Sequence, residues 1–210
     1  MFANISNFMI NFYYLCKKNN MSIESIIKES IKVKEAILTN TDLVGKIEMA
    51  ARLCVESLQK DGKIHFCGNG GSAADAQHLA AELSGRFYYD RPPLNADALH
   101  VNTSYLTAVA NDYSFDEIYS RIINASAKQG DVLVAISTSG NSSNILKAID
   151  SAKKKGMTVI GMTGMSGGKM LELCDVLLNV PSICTPRIQE SHIMIGHIIC
   201  EIIESQIFPK

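Results

Sequence analysis

At 210 residues and 22.9 kDa the chain is long enough for one well-buried core and short for two, which predicts a single domain. Its 47% hydrophobic and 20% charged residues exclude a disordered chain. A formal net charge of −1 and an isoelectric point near 6.5 leave no basic footprint for nucleic acid or an anionic membrane.

Residues 1–20 are rich in Asn and aromatic side chains and lack both a basic leader and a small-residue cleavage site, so they do not read as a signal peptide. Their longest uncharged run is too short and too polar to span a bilayer. They are expected to be a loosely ordered extension or a mis-set start, with one domain over 21–210. From Ser22 to Leu58, apolar residues recur at three- and four-residue spacing, which predicts two amphipathic helices broken at Thr39–Asp42. Residues 63–86 follow as a short buried strand, a glycine turn and an alanine-rich helix opened by Ser72. Gly68, Gly70 and Gly71 allow the sharp turn, and the free N–H groups of the first helical turn suit an anion. On that helix His78 and Glu82 lie four residues apart on one face, as a surface pair or as a site.

Ala96–Val101 is a candidate second strand, and Thr103–Lys128 is helical in pattern with a break at Asn111-Asp112-Tyr113. Asp131–Ser137 encloses an apolar run with the length of a strand buried on both faces. Ser137, Thr138, Ser139 and Ser142 then put four hydroxyls on the turn before a helix running to Lys155. These groups suit a phosphate monoester, or an ordinary serine-rich cap. Met157–Met162 and Val176–Val180 are further strands around a glycine turn, and Thr185-Pro186 starts the last helix with threonine as N-cap. Five strands alternating with helices specify an α/β fold, a three-layer αβα sandwich around a five-stranded parallel sheet, with ligands at the carboxyl ends of the strands. No Gly-x-x-x-x-Gly-Lys-Ser/Thr occurs, and Gly68-x-Gly70-x-x-Ala73 lacks an acidic residue closing the next strand. Six scattered cysteines without a Cys-x-x-Cys pair read as reduced thiols of a cytoplasmic protein. His197, inside the apolar run of the last helix, needs a hydrogen-bond acceptor, a metal or a substrate.

Taken together, Gly-Asn-Gly-Gly-Ser at 68–72, His78-x-x-x-Glu82, Arg86, Asn111-Asp112, Ser-Thr-Ser-Gly-Asn-Ser at 137–142, and Arg187-Ile-Gln-Glu-x-His192 with His197 closely resemble the phosphoheptose isomerases of the sugar-isomerase (SIS) fold. The resemblance covers about residues 22–208 and implies a flavodoxin-like αβα sandwich. The implied enzyme interconverts sedoheptulose 7-phosphate and D-glycero-D-manno-heptose 7-phosphate, for bacterial lipopolysaccharide or capsule. It also implies a homotetramer with one zinc ion per active site. By motif, His78, Glu82, Gln189 and His197 would hold the zinc, with Glu82 and His197 as base and acid. Asn69, Gly70, Gly71, Ser72, Glu82, Arg86, Asn111, Asp112, Ser137, Thr138, Ser139, Ser142 and Gln189 would line a phosphorylated seven-carbon sugar. The family often has an acidic residue near Thr185-Pro186; here Ile183 and Cys184 precede that pair. The rivals are a non-catalytic SIS protein that binds the replication initiator, which lacks the catalytic carboxylate and histidine, and a phosphosugar sensor, for which no DNA-binding segment is present.

Gln189 and His197 are eight residues apart, so on one helix their backbones differ by about 12 Å along the axis and roughly 80° around it. One metal would join them only if both side chains stretched. This predicts that a neighbouring subunit supplies part of each site, at a subunit interface.

Overall fold

The computed structural model describes residues 22–210; the expectation for the first 20 residues lies outside them. Helices α1 (Ile23–Thr39) and α2 (Thr41–Gln59) meet at Asn40, whose side chain accepts a hydrogen bond from Leu43 N and caps α2. The α/β body follows: β1 (Ile64–Gly68), α3 (Gly71–Ser84), β2 (Ala96–Ala98), α4 (Thr103–Asp112), α5 (Ile118–Ser126), β3 (Val132–Ile136), α6 (Ser143–Lys154), β4 (Thr158–Thr163), β5 (Val176–Asn179) and α7 (Thr185–Ile207).

All strand pairs are parallel, in the order β2-β1-β3-β4-β5. The order reverses between β1 and β3, so the turns after these two strands diverge to opposite faces and leave a crevice between their ends. Every residue of β1 and β3 is buried, as strands covered on both faces require. Along β3 the side chains alternate between two cores. Val132, Val134 and Ile136 pack with α2, α3 and α7, whereas Leu133 and Ala135 pack with α5 and α6.

Three expectations change in detail. The second strand ends at Ala98, and the chain turns through Leu99 and His100. Helix α7 begins at Thr185 with Cys184 as N-cap, so threonine is its first residue and makes no cap bond. The α1 stripe of Ile23, Ile27 and Ile31 is exposed in the single chain, because α1 reaches the core through its second half, at Val33 and Ile37. Cys54, Cys67, Cys174, Cys184 and Cys200 are free thiols.

Candidate active site

The turn after β1 carries Asn69 into a reciprocal amide pair with Asn144, at 2.9 and 2.8 Å, at the start of α6. That pair ties the turn leading into α3 to the first turn of α6 across the switch point. Tyr119, buried in α5, donates its hydroxyl to the Gly68 carbonyl and holds the turn from below. On the β3 side, Ser137 and Ser142 share a hydroxyl contact of 3.1 Å, while Ser139 is exposed and its hydroxyl oxygen accepts from Asn141 N at 3.2 Å. Neither N-cap residue, Gly70 or Ser142, bonds its helix through a side chain, and although Ser72 N, Ala73 N and Ile145 N find acceptors, the foremost N–H groups of α3 and α6 remain for the crevice. Ser72, expected to present a hydroxyl, is buried.

Helix α7 lies alongside α3 and runs the same way. Gln189 meets the front of α3, where a Cβ on Gly71 would stand 2.5 Å from the Gln189 amide nitrogen, so a larger residue there would displace the Gln189 side chain. Seven residues further along α3 and eight along α7, His78 Nε2 lies 3.4 Å from His197 Nε2 and 2.9 Å from Glu82 Oε1. One donor atom from each of His78, Glu82 and His197 falls within 4.8 Å of the other two. All three come from one chain, whereas Gln189, the fourth expected ligand, stands against Gly71 two helical turns back and does not join them. The spacing of Gln189 and His197 concerns α7 alone, whereas α3 runs parallel to it and offers each a neighbour, Gly71 and His78.

The trio crowds three lone-pair atoms around one point, and a single N–H on His78 cannot serve both Glu82 and His197 well. Two imidazole nitrogens and a carboxylate oxygen are a donor set that fits zinc. Asp75, three residues before His78, has one carboxylate oxygen that is buried without a hydrogen-bond partner among the described residues. Burial raises its pKa, against the pull of the His78 and His197 imidazoles. A cation at the trio would favour ionised Asp75.

The remaining expected contacts are peripheral in the single chain. Arg86 is exposed just beyond Gly85, and Asn111 and Asp112 end α4 exposed, joined to each other at 2.9 Å. Sequence reasoning missed Asn144, Tyr119 and Asp75. Only Asn144 left a signal, as an amide in the first turn of the helix after the serine-rich loop.

The comparisons agree with this architecture. A family model described as the SIS domain matches residues 27–164. The chain is 53% identical over 189 residues to a phosphoheptose isomerase of Aneurinibacillus thermoaerophilus, covering 90% of this chain and 96% of that one. It is 58% identical over 163 residues to one of Rhodospirillum rubrum, covering 78% and 87%. Among solved structures, a phosphoheptose isomerase of Neisseria gonorrhoeae superposes with a TM-score of 0.82 at 47% identity, covering 87% and 97%. One of Francisella tularensis gives 0.84 at 39% identity, covering 87% and 96%.

Proposed function

This chain belongs to the SIS domain family, with the phosphoheptose isomerases, and on that premise we propose that it converts sedoheptulose 7-phosphate to D-glycero-D-manno-heptose 7-phosphate for bacterial heptose synthesis in the cytoplasm. The observation that carries the reading is the convergence of Glu82, His78 and His197 from one chain on one point, two turns along the helix that follows the first strand-end turn.

The chemistry asks for little. Moving a carbonyl between C2 and C1 means taking a proton from one carbon and returning it to its neighbour through an enediolate, so one carboxylate near both carbons suffices. Glu82 turns Oε1 toward His78, and its Oε2 has no hydrogen bond among the described residues, so that oxygen is free to carry the proton. His197 faces the same point and serves as the acid for the sugar oxygens. The phosphate is assigned to the crevice between Asn69–Ser72 and Ser137–Ser142, where uncapped helix N-termini and hydroxyls favour a dianion. That leaves the length of the sugar to reach the trio further along α3. Asn111, Asp112 and Arg86 are assigned to the sugar's outer contacts.

His78, Glu82 and His197 would hold zinc; Gln189, the fourth donor implied by the family resemblance, stands two turns back against Gly71. When bound, the ion supplies Lewis-acid stabilisation of negative charge on oxygen. We also assign the active form to a homotetramer; the exposed isoleucine stripe of α1 supports an assembly that covers it. No described helix is long and apolar enough to cross a membrane.

The test is an isomerase assay on sedoheptulose 7-phosphate before and after chelation. The reading expects conversion that chelator removes and zinc restores. No conversion by fully folded, zinc-loaded protein would overturn it in favour of a binding role.

A further inference from the structure

Arg91 and Glu204 form an ion pair sealed inside the protein, their side chains 2% and 1% exposed. Arg91 Nε donates to Glu204 Oε1 at 3.0 Å. The rest of the guanidinium is spent on backbone carbonyls at the end of α3: Glu82 O at 2.9 Å, Leu83 O at 2.7 Å and Gly85 O at 3.0 Å, with Pro92 O at 3.1 Å. These include carbonyls that a helix end leaves without partners, and the cation faces the negative end of the helix dipole. Glu204 in turn accepts from Phe87 N at 3.0 Å and Tyr88 N at 2.8 Å, the segment that leaves α3. Glu204 lies seven residues beyond His197 on α7, two turns along the same face.

A buried ion pair is a poor device for stability alone, since well-packed apolar residues of similar volume often do as well or better. This one has its cation on the backbone of Glu82 itself and its anion on the helix of His197. We propose that the Arg91–Glu204 pair is the positioning element of the site, fixing the rotation and distance of α3 against α7 so that Glu82, His78 and His197 converge. Neither residue touches the reacting atoms. A helical side chain swings through about 1 Å for a rotation of roughly 10° about the axis, and displacement of that size can cost on the order of a hundredfold in rate.

This inference rests on the isomerase reading, and its test separates the two. Full-length Glu204→Gln keeps one amide oxygen for Arg91 Nε and Phe87 N, but loses the negative charge facing Arg91 and the acceptor of Tyr88 N. Arg91→Lys keeps the charge but loses the fork. For each, zinc affinity is measured by competition with a chromogenic chelator, kcat and KM on sedoheptulose 7-phosphate by steady-state kinetics, and the folded fraction by circular dichroism. The expected result is a folded protein whose zinc affinity and kcat both fall about tenfold to a hundredfold, while KM stays within about twofold because the phosphate crevice lies at the other end of α3. Folded variants with wild-type zinc affinity and kcat would overturn the proposal. So would losses that match the fraction unfolded, which mark a merely structural pair. If the wild type turns over sugar without binding zinc, the metal assignment fails, and the kcat ratio by itself decides the role of the pair.

Discussion

Gly196 packs its bare Cα against Leu79: a Cβ built there would stand 2.5 and 2.6 Å from the two Leu79 methyls and 3.1 Å from its Cγ. The neighbouring residues in each helix, His197 and His78, are the pair whose imidazoles meet at 3.4 Å. Closeness of α3 and α7 at this level is therefore a condition of the site. Leu79 is fully buried and has little room to swing away. For Gly196→Ala, overpacking of about 1–3 kcal/mol is partly offset by about 1 kcal/mol of helix propensity. Thermal unfolding should move by only a few degrees while kcat falls at least about tenfold. A variant with wild-type kcat would show that the helix spacing does not matter to the chemistry.

Subunit mixing distinguishes a site built within one chain from one divided between chains. Because His78, Glu82 and His197 meet within one chain, every site in a hybrid of Glu82→Gln and His197→Asn subunits carries one defect. No activity beyond that of the separate variants is expected after proven exchange. Recovery of a substantial share of wild-type activity would place these ligands on different subunits.

The serine-rich turn separates binding from chemistry. Ser139 is exposed at the crevice and holds the loop through Asn141 N, so Ser139→Ala removes both a hydroxyl and a loop contact. KM is expected to rise about tenfold with kcat little changed, as for lost ground-state binding. An unchanged KM would return this turn to an ordinary helix cap.

His192 gives the protein an acid-side dependence unconnected with catalysis. It is fully buried on α7, with Nε2 donating to Thr163 O at 3.1 Å. Burial pushes the imidazole down to about 4, against the pull of that carbonyl. The unfolded chain, titrating near 6.5, binds the extra proton between the two values. The stability contribution is therefore fully present above about pH 6.5, falls as pH drops toward 4, and levels below it, with an amplitude of at most about 3 kcal/mol. Denaturant unfolding of wild type and His192→Gln at pH 7 and pH 4 should show a smaller loss in the variant. Parallel losses would contradict the assignment.

The strand–turn–helix at 63–86 was legible because glycine placement and a change of hydrophobic period are local signals, and the apolar runs announced β1 and β3 in the same way. The His78–Glu82 pair was legible as a spacing on one helix. Other features depend on residues far apart in sequence. Asn144 reaches Asn69 over 75 residues, and Glu204 reaches Arg91 over 113. Helix periodicity also said nothing of which way α3 would run beside α7, and that direction brings His197 to Glu82 within one chain. On α1 the isoleucines follow helical spacing, yet spacing alone does not say whether they face the chain's own core or another surface.

In the proposed isomerisation, Glu82 carries a proton between neighbouring carbons of the sugar. This step is tested most directly by running sedoheptulose 7-phosphate with wild type and Glu82→Gln in deuterated water and locating the label in the product by NMR. Deuterium is expected at C2 of the heptose 7-phosphate from the wild type in proportion to exchange of the proton on Glu82 with solvent before its return. For a correctly folded Glu82→Gln turnover is expected to fall by at least about a hundredfold. Wild-type turnover by a correctly folded Glu82→Gln, or deuterium incorporation by that variant at the wild-type rate, would contradict the assignment.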